Sequence, residues 1–197
     1  MTPLPYVDVG AKTAFYVSLG ILGASEWSIR FRSGRNRGGT RIDRGSFFAV
    51  IATSVFGFFA AFVLASHVPS AGIGTARWPI FVAGLAIVFL GIALRQWAVL
   101  ALGRFFTVQV RVRSDQTVVD TGPYRWVRHP SYTGIIVSFF GVGVALENWL
   151  SLAALVVIPT IGLVIRIRVE ERVLLDALGE PYRQFSAGRA RLIPKVW

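Results

Sequence analysis

Cysteine is absent from this chain of 197 residues, which removes disulfides, thiolate metal sites and a cysteine nucleophile from its chemistry. Histidine is nearly as scarce, with only His67 and His129, and a single histidine makes no metal site, so metal catalysis is disfavoured. Acidic residues number 10 against 21 lysines and arginines, for a formal net charge of +11. No Gly-x-Ser-x-Gly elbow, phosphate loop or strand-turn-helix with Gly-x-Gly-x-x-Gly occurs, so hydrolase and soluble dinucleotide-fold readings have no support. The start Met1-Thr2-Pro3-Leu4-Pro5 carries no basic region ahead of an apolar core, and no cleaved signal peptide is expected there. Internal repeats and low-complexity tracts are also missing.

What the chain has in excess is apolar character. Apolar residues make up 54%, charged ones 16%, and the mean hydropathy is +0.58, a balance that soluble domains rarely show. In so apolar a chain the basic excess belongs in loops facing anionic lipid headgroups rather than against nucleic acid. Five segments approach the roughly 20 residues needed to cross the hydrocarbon: Ala11 to Arg30, Ser46 to Val68, Pro79 to Ala101, Tyr132 to Leu150 and Ser151 to Ile167. Only Glu147-Asn148-Trp149 separates the last two, so a tight helical hairpin is expected. The fold class is therefore an all-α integral membrane protein of about five transmembrane helices, organised as one domain over residues 1–197.

Positive charge sets the orientation. Arg32, Arg35, Arg37, Arg41 and Arg44 crowd the first connection, Arg104, Arg111, Arg113, Arg125 and Arg128 the third, and Arg172, Arg183, Arg189, Arg191 and Lys195 the tail. The opposite side holds little beyond Lys12 and Arg77. An outside amino terminus and a cytoplasmic carboxyl terminus follow. Ser33 to Gly45 reads as a flexible basic loop. Phe105 to Arg113 alternates polar and apolar residues before a Ser114-Asp115-Gln116 turn, the pattern of extended backbone at the interface. Gly20 with Gly23, Gly84 with Gly91, and Gly141 with Gly143 are expected to let helices pack closely.

Several polar residues stand where a membrane makes them costly. Arg95 lies about 10 Å inside the cytoplasmic end of the third span by helical rise, where it must snorkel, pair or face a polar cavity. Arg166 and Glu170 share one helical face, with Arg168 and Glu171 as a second pair; they form either helix salt bridges or positioned charges in a dry pocket. Glu26 precedes Arg30 in the favourable order for a structural pair. His129, followed by proline, either spaces a helix start or serves a site.

Taken in order, Arg95-Gln96-Trp97-Ala98, Leu102-Gly103-Arg104-Phe105-Phe106-Thr107, Gly122-Pro123-Tyr124, Arg128-His129-Pro130-Ser131-Tyr132-Thr133-Gly134, Arg166 with Glu170-Glu171, Gly179-Glu180-Pro181-Tyr182 and Arg191-Leu192-Ile193-Pro194 resemble the isoprenylcysteine carboxyl methyltransferase family and related phospholipid methyltransferases. The resemblance covers residues 95–197; residues 1–94 are less diagnostic. It implies methyl transfer from S-adenosylmethionine to a lipid or lipid-linked acceptor, with a cofactor pocket built from the interfacial connection and a cytoplasmic carboxyl-terminal helix. By matching position it assigns Gln109, Val110, Gly122, Tyr124, Arg128, His129, Tyr132 and Glu171 to the cofactor, and Arg95, Arg166 and Glu170 to the reacting centre. Phe185 departs from the pattern, since relatives commonly carry a second tyrosine there. A sterol-reductase-like enzyme using NADPH shares the Arg-His-Pro-x-Tyr-x-Gly element, and a non-catalytic scaffold or permease would show the same arginine distribution.

Overall fold

A computed structural model describes residues 2–35, 40–41, 45–113, 115–194 and 196–197. Most of the expected basic loop, with Arg37 and Arg44 and the side chains of Arg35 and Arg41, lies outside the described residues, as do Met1, Ser114 and Lys195. The described elements are α1 (Leu4–Val7), α2 (Val9–Arg35), β1 (Thr40–Arg41), α3 (Ser46–His67), α4 (Arg77–Leu102), β2 (Arg111–Val112), α5 (Pro130–Ala145), α6 (Trp149–Leu178) and α7 (Glu180–Ala187). Of the expected extended stretch, only β2 is strand; it pairs antiparallel with β1.

Among the described residues, three helices are long and apolar enough to cross a membrane by length and composition: Ser46–His67, Arg77–Phe105 (α4 with the 3-10 turn that prolongs it) and Trp149–Leu178. The 22 residues of α3 rise about 33 Å, enough for a hydrocarbon core of about 30 Å. The other two expected spans differ from the sequence reading. With 16 residues, α5 rises only about 24 Å, because Leu146, Glu147 and Asn148 turn the chain early into α6. Although α2 has 27 residues, Ser18, Ser25, Glu26, Ser28 and Arg30 dilute its apolar character.

The expected hairpin between α5 and α6 is present and locked. Asn148 is fully buried, accepts from the backbone N–H groups of Leu150 (3.1 Å) and Ser151 (3.0 Å), and donates to the Val68 carbonyl at 2.8 Å. Those contacts cap α6 and tie its start to the end of α3. Beside it, Glu147 adopts a left-handed φ of 52° while its carboxylate accepts from Leu4 N–H at 3.0 Å and from Arg77 at 3.4 Å.

Small residues set how closely the helices approach. A Cβ on Gly84 would lie 2.5 Å from the backbone of Ala145, one on Gly141 2.5 Å from that of Val88, and one on Gly143 2.6 Å from Leu152. These glycines do what was expected of them, pressing α4 on α5 and α5 on α6. Gly20 and Gly23 do not: a Cβ on either meets nothing within 4 Å. After α7 the chain returns to the start of α5, where Arg128 and His129 N–H donate to the carbonyls of Ala190 and Arg191, each at 2.9 Å.

Candidate active site

Close packing of α4 on α5 begins at Gly134, whose absent side chain leaves room for the Arg95 backbone. A Cβ there would lie 2.8 Å from Arg95 N. One turn earlier on α5, Ser131 therefore receives the Arg95 guanidinium: Nη1 donates to the Ser131 hydroxyl at 2.8 Å and to its carbonyl at 3.2 Å. The other edge of Arg95 meets both carboxylate oxygens of Glu26 on α2, with Nη2 to Oε2 at 2.7 Å. Of the alternatives left open for Arg95, the structure selects the pair. It also corrects the expected Glu26–Arg30 pair, because Glu26 reaches across to another helix, while Arg30 stands over the Phe47 ring.

Arg166 and Glu170 do share a face of α6, and the hydroxyl of Tyr132 lies between them. It donates to Glu170 Oε2 at 2.5 Å and accepts from Arg166 Nε at 3.2 Å. Arg166 further donates to Ser46 Oγ (3.0 Å) and to the Val108 carbonyl (2.6 Å), which joins α3 and the interfacial connection to the same point. The Tyr132 ring stacks on His129, with centroids 5.5 Å apart and planes 14° from parallel.

Glu171 faces the other way. Its carboxylate accepts from Arg128 at 2.7 Å and Arg191 at 3.0 Å, and lies 3.3 Å from His129 Nε2. The expected partnership with Arg168 does not form; Arg168 is exposed, and Glu171 instead clamps the returning tail onto the start of α5.

Two cavities flank Tyr132. The first, about 830 Å³ and open to solvent, is walled by the interfacial connection, the start of α5, the end of α6 and α7. Val110, Tyr124, Arg128, His129 and Tyr132, expected at the cofactor, line it, and so do Arg166 and Glu170, expected at the reacting centre. Gln109, Gly122 and Glu171 do not. The Gln109 carbonyl accepts from Thr107 Oγ1 at 2.7 Å, which shapes the loop. Gly122, at φ 58°, starts the 3-10 turn that buries Tyr124, and a Cβ there would crowd Ala101 and Trp97. The second cavity, about 1030 Å³ and mostly apolar, is walled by α2 and α3 with parts of α4, α5 and α6; Arg95, Glu26 and Arg30 line it together with Leu22, Ile51 and Phe139. Phe106, Thr107, Tyr132 and Arg166 belong to both linings, so the cavities share one wall.

Sequence reasoning missed Leu174 and Leu178 and gave no site role to Tyr182 and Phe185, which it met only in the motif; together they continue the first cavity from Glu170 along α6 into α7. Their near-fourfold spacing was the available signal, a helical stripe. Tyr182 is the most informative. It is 4% exposed, and its hydroxyl has no hydrogen-bond partner among the described residues. Burial, then the nearby Glu170 and Glu171, push its phenol up; burial and Glu170 do the same to Tyr124, so both remain protonated.

Fold and site together define a class: a helical membrane protein with a solvent-facing polar and aromatic cavity backed onto an apolar one. Residues 83–176 match the family described as isoprenylcysteine carboxyl methyltransferase (ICMT), which bears out the resemblance read from the motifs. Protein-S-isoprenylcysteine O-methyltransferase B of Arabidopsis thaliana is 33% identical over 112 residues, covering 56% of this chain and 57% of the relative. The Tribolium castaneum protein-S-isoprenylcysteine O-methyltransferase is 37% identical over 115 residues, 57% of this chain and 41% of the relative. The chain thus spans about half the length of these relatives. The solved structure of a eukaryotic intramembrane Ras methyltransferase ICMT superposes with a TM-score of 0.71 at 23% identity, covering 98% of this chain and 70% of that one, so the two share a fold.

Proposed function

We propose that this protein is an integral membrane methyltransferase that uses S-adenosylmethionine to methylate a lipid-linked carboxylate of the isoprenylcysteine type. The observation that carries the reading is the wall shared by the two cavities at Tyr132 and Arg166: a water-soluble donor and a lipid-borne acceptor can meet there without either leaving its own phase. In this reading α2 and α5 complete five spans, α7 and the tail are cytoplasmic, residues 95–197 are the catalytic half, and the acceptor enters laterally between α2 and α3.

The first cavity suits a sulfonium donor. The His129–Tyr132 stack and Tyr124 offer aromatic faces, with a cation–π gain on the order of 1 kcal/mol. Arg128 and His129 suit a carboxylate, Glu170 an amine or ribose hydroxyl, and the unpartnered Tyr182 hydroxyl awaits an acceptor. When bound, S-adenosylmethionine supplies an electrophilic methyl group on a sulfonium sulfur. The protein's share of the work is alignment and exclusion of water: Tyr132, braced by Glu170 and Arg166, fixes the boundary across which the two reactants face each other. A carboxylate acceptor needs no base. Were the acceptor an amine, Glu170 would be the base.

The test is to incubate protein in nanodiscs with labelled S-adenosylmethionine and N-acetyl-S-farnesyl-cysteine, identify products by mass spectrometry, and titrate S-adenosylhomocysteine and NADPH in parallel. A labelled methyl ester with saturable S-adenosylhomocysteine binding is expected. Binding of NADPH alone would replace this reading by a reductase, and label in a phospholipid amine would replace the acceptor.

A further inference from the structure

We propose that Glu26 is a stand-in for the acceptor: it occupies the carboxylate site on Arg95 at rest and trades places with the acceptor in each turnover. This rests on the carboxylate reading above. Three observations lead to it. Ser131 holds Nη1 of Arg95 through two contacts, so the guanidinium cannot swing, and its Nε–Nη2 edge is fixed facing the apolar cavity. That edge is a planar fork suited to one carboxylate held by two parallel bonds, and Glu26 fills it in that way. Finally, the Arg95 side chain is 10% exposed whereas that of Glu26 is 31% exposed, and both line the acceptor cavity; the cation is the fixed member of the pair and the carboxylate the accessible one.

An unpaired guanidinium at this depth is strongly unfavourable, so some carboxylate must be on it at all times. An arriving acceptor carboxylate brings its own charge and can take the fork. Glu26, once displaced, has Arg30 one helical turn further along α2 and lining the same cavity, in the favourable i, i+4 order. As the O–CH3 bond forms at the acceptor, the S–CH3 bond of the donor breaks with its electron pair left on sulfur; carboxylate and sulfonium charges cancel, and no proton moves. The resulting ester is neutral and holds Arg95 poorly. Glu26 then reclaims the fork and expels the product, so Glu26 sets discrimination between acid and ester.

The experiment compares wild type with Glu26→Gln and Glu26→Asp in nanodiscs, each saturated with unreactive S-adenosylhomocysteine. It measures the Kd of N-acetyl-S-farnesyl-cysteine and of its methyl ester. In Glu26→Gln the acid is expected to bind about tenfold tighter, as loss of one competing charged partner implies, with ester affinity within about twofold of wild type. Glu26→Asp, charged but too short to span the gap fully, should fall between. Acid affinity unchanged or weakened in Glu26→Gln, with S-adenosylhomocysteine affinity intact, overturns the proposal. Should Glu26→Gln lose S-adenosylhomocysteine binding through misfolding, Glu26→Asp decides: a wild-type acid-to-ester ratio overturns it, a raised ratio upholds it. A wild type that binds neither acid nor ester shows instead that the carboxylate reading itself has failed, and the stand-in role falls with it.

Discussion

Replacing Gly134 by alanine tests the link between helix packing and the site most directly. The added Cβ would stand 2.8 Å from Arg95 N, Arg95 Cβ and the Gly91 carbonyl oxygen. Non-bonded carbon contacts are comfortable at about 3.5–4.0 Å, so α4 and α5 must separate by about 1 Å. Two of the three obstructing atoms are backbone, so no rotamer change relieves the clash. Overpacking of this kind costs about 1–3 kcal/mol, or about 2–12 °C in Tm for a chain of this size. The same separation draws Arg95 away from Ser131, which it now contacts at 2.8 and 3.2 Å, and loosens the wall of the apolar cavity. The matched control is Gly20→Ala on α2, where a Cβ meets nothing within 4 Å and alanine should be neutral or stabilising by up to about 1 kcal/mol. Thermal denaturation in nanodiscs and methyl-transfer rates are the readouts. If Gly134→Ala melts with or above Gly20→Ala and keeps its acceptor KM, glycine-mediated placement of Arg95 is refuted.

Tyr132→Phe keeps the ring on His129 but deletes the hydroxyl between Glu170 and Arg166; losing a charge-assisted bond worth about 1.5–3 kcal/mol should lower kcat/KM about 10- to 150-fold. Its S-adenosylhomocysteine affinity should change little, and wild-type turnover would remove Tyr132 from the boundary. Tyr182→Phe deletes a buried hydroxyl that has no partner among the described residues, so the unliganded protein should melt higher, by about 1–3 kcal/mol of stability, while donor affinity falls. A lower melting temperature without ligand would show that the hydroxyl is already satisfied. Glu171→Gln removes the carboxylate that holds Arg128, His129 and Arg191; with Arg191 a third exposed, the cost should be about 2–4 kcal/mol. Faster limited proteolysis after Ala187 is the expected sign, and unchanged cleavage would mean the tail is held elsewhere.

Side chains whose chemistry is read locally were legible before the structure. Tyr124, Arg128, His129 and Tyr132 fall within nine residues, and the turn at Gly122 and the helix start at Pro130 fix their positions relative to one another. What required the structure was pairing between helices. Glu26 and Arg95 are 69 positions apart, and a helical spacing rule finds Arg30 first. Glu171 has the residue type of a donor ligand, yet the returning tail brings Arg191 to it, and no local pattern announces that. The end of the fourth expected span was illegible for a related reason: apolar composition continues through Leu146, but Glu147 with its left-handed φ and the capping side chain of Asn148 end the helix there.

The ionisable groups placed in apolar surroundings explain one another. Alone, Arg95, Glu26, Arg166 or Glu170 would each be expensive within a hydrocarbon slab. Here Arg95 joins α4 to α2 through Glu26 and to α5 through Ser131, and Arg166 joins α6 to α5 through Tyr132 and to α3 through Ser46. The two clusters sit on adjacent residues of α5, Ser131 and Tyr132, so the helix start that carries the His129–Tyr132 stack also anchors both arginines. The apolar cavity is lined by one carboxylate, Glu26, and three arginines, Arg30, Arg95 and Arg166, and Glu26 is held by Arg95. Under the proposal above, an anion that takes the Arg95 fork exchanges with Glu26, and Arg30 receives the displaced carboxylate. A neutral or cationic acceptor faces no such exchange. Under the same proposal, the pairing on Arg95, more than the size of the cavity, separates a carboxylate acceptor from a neutral one.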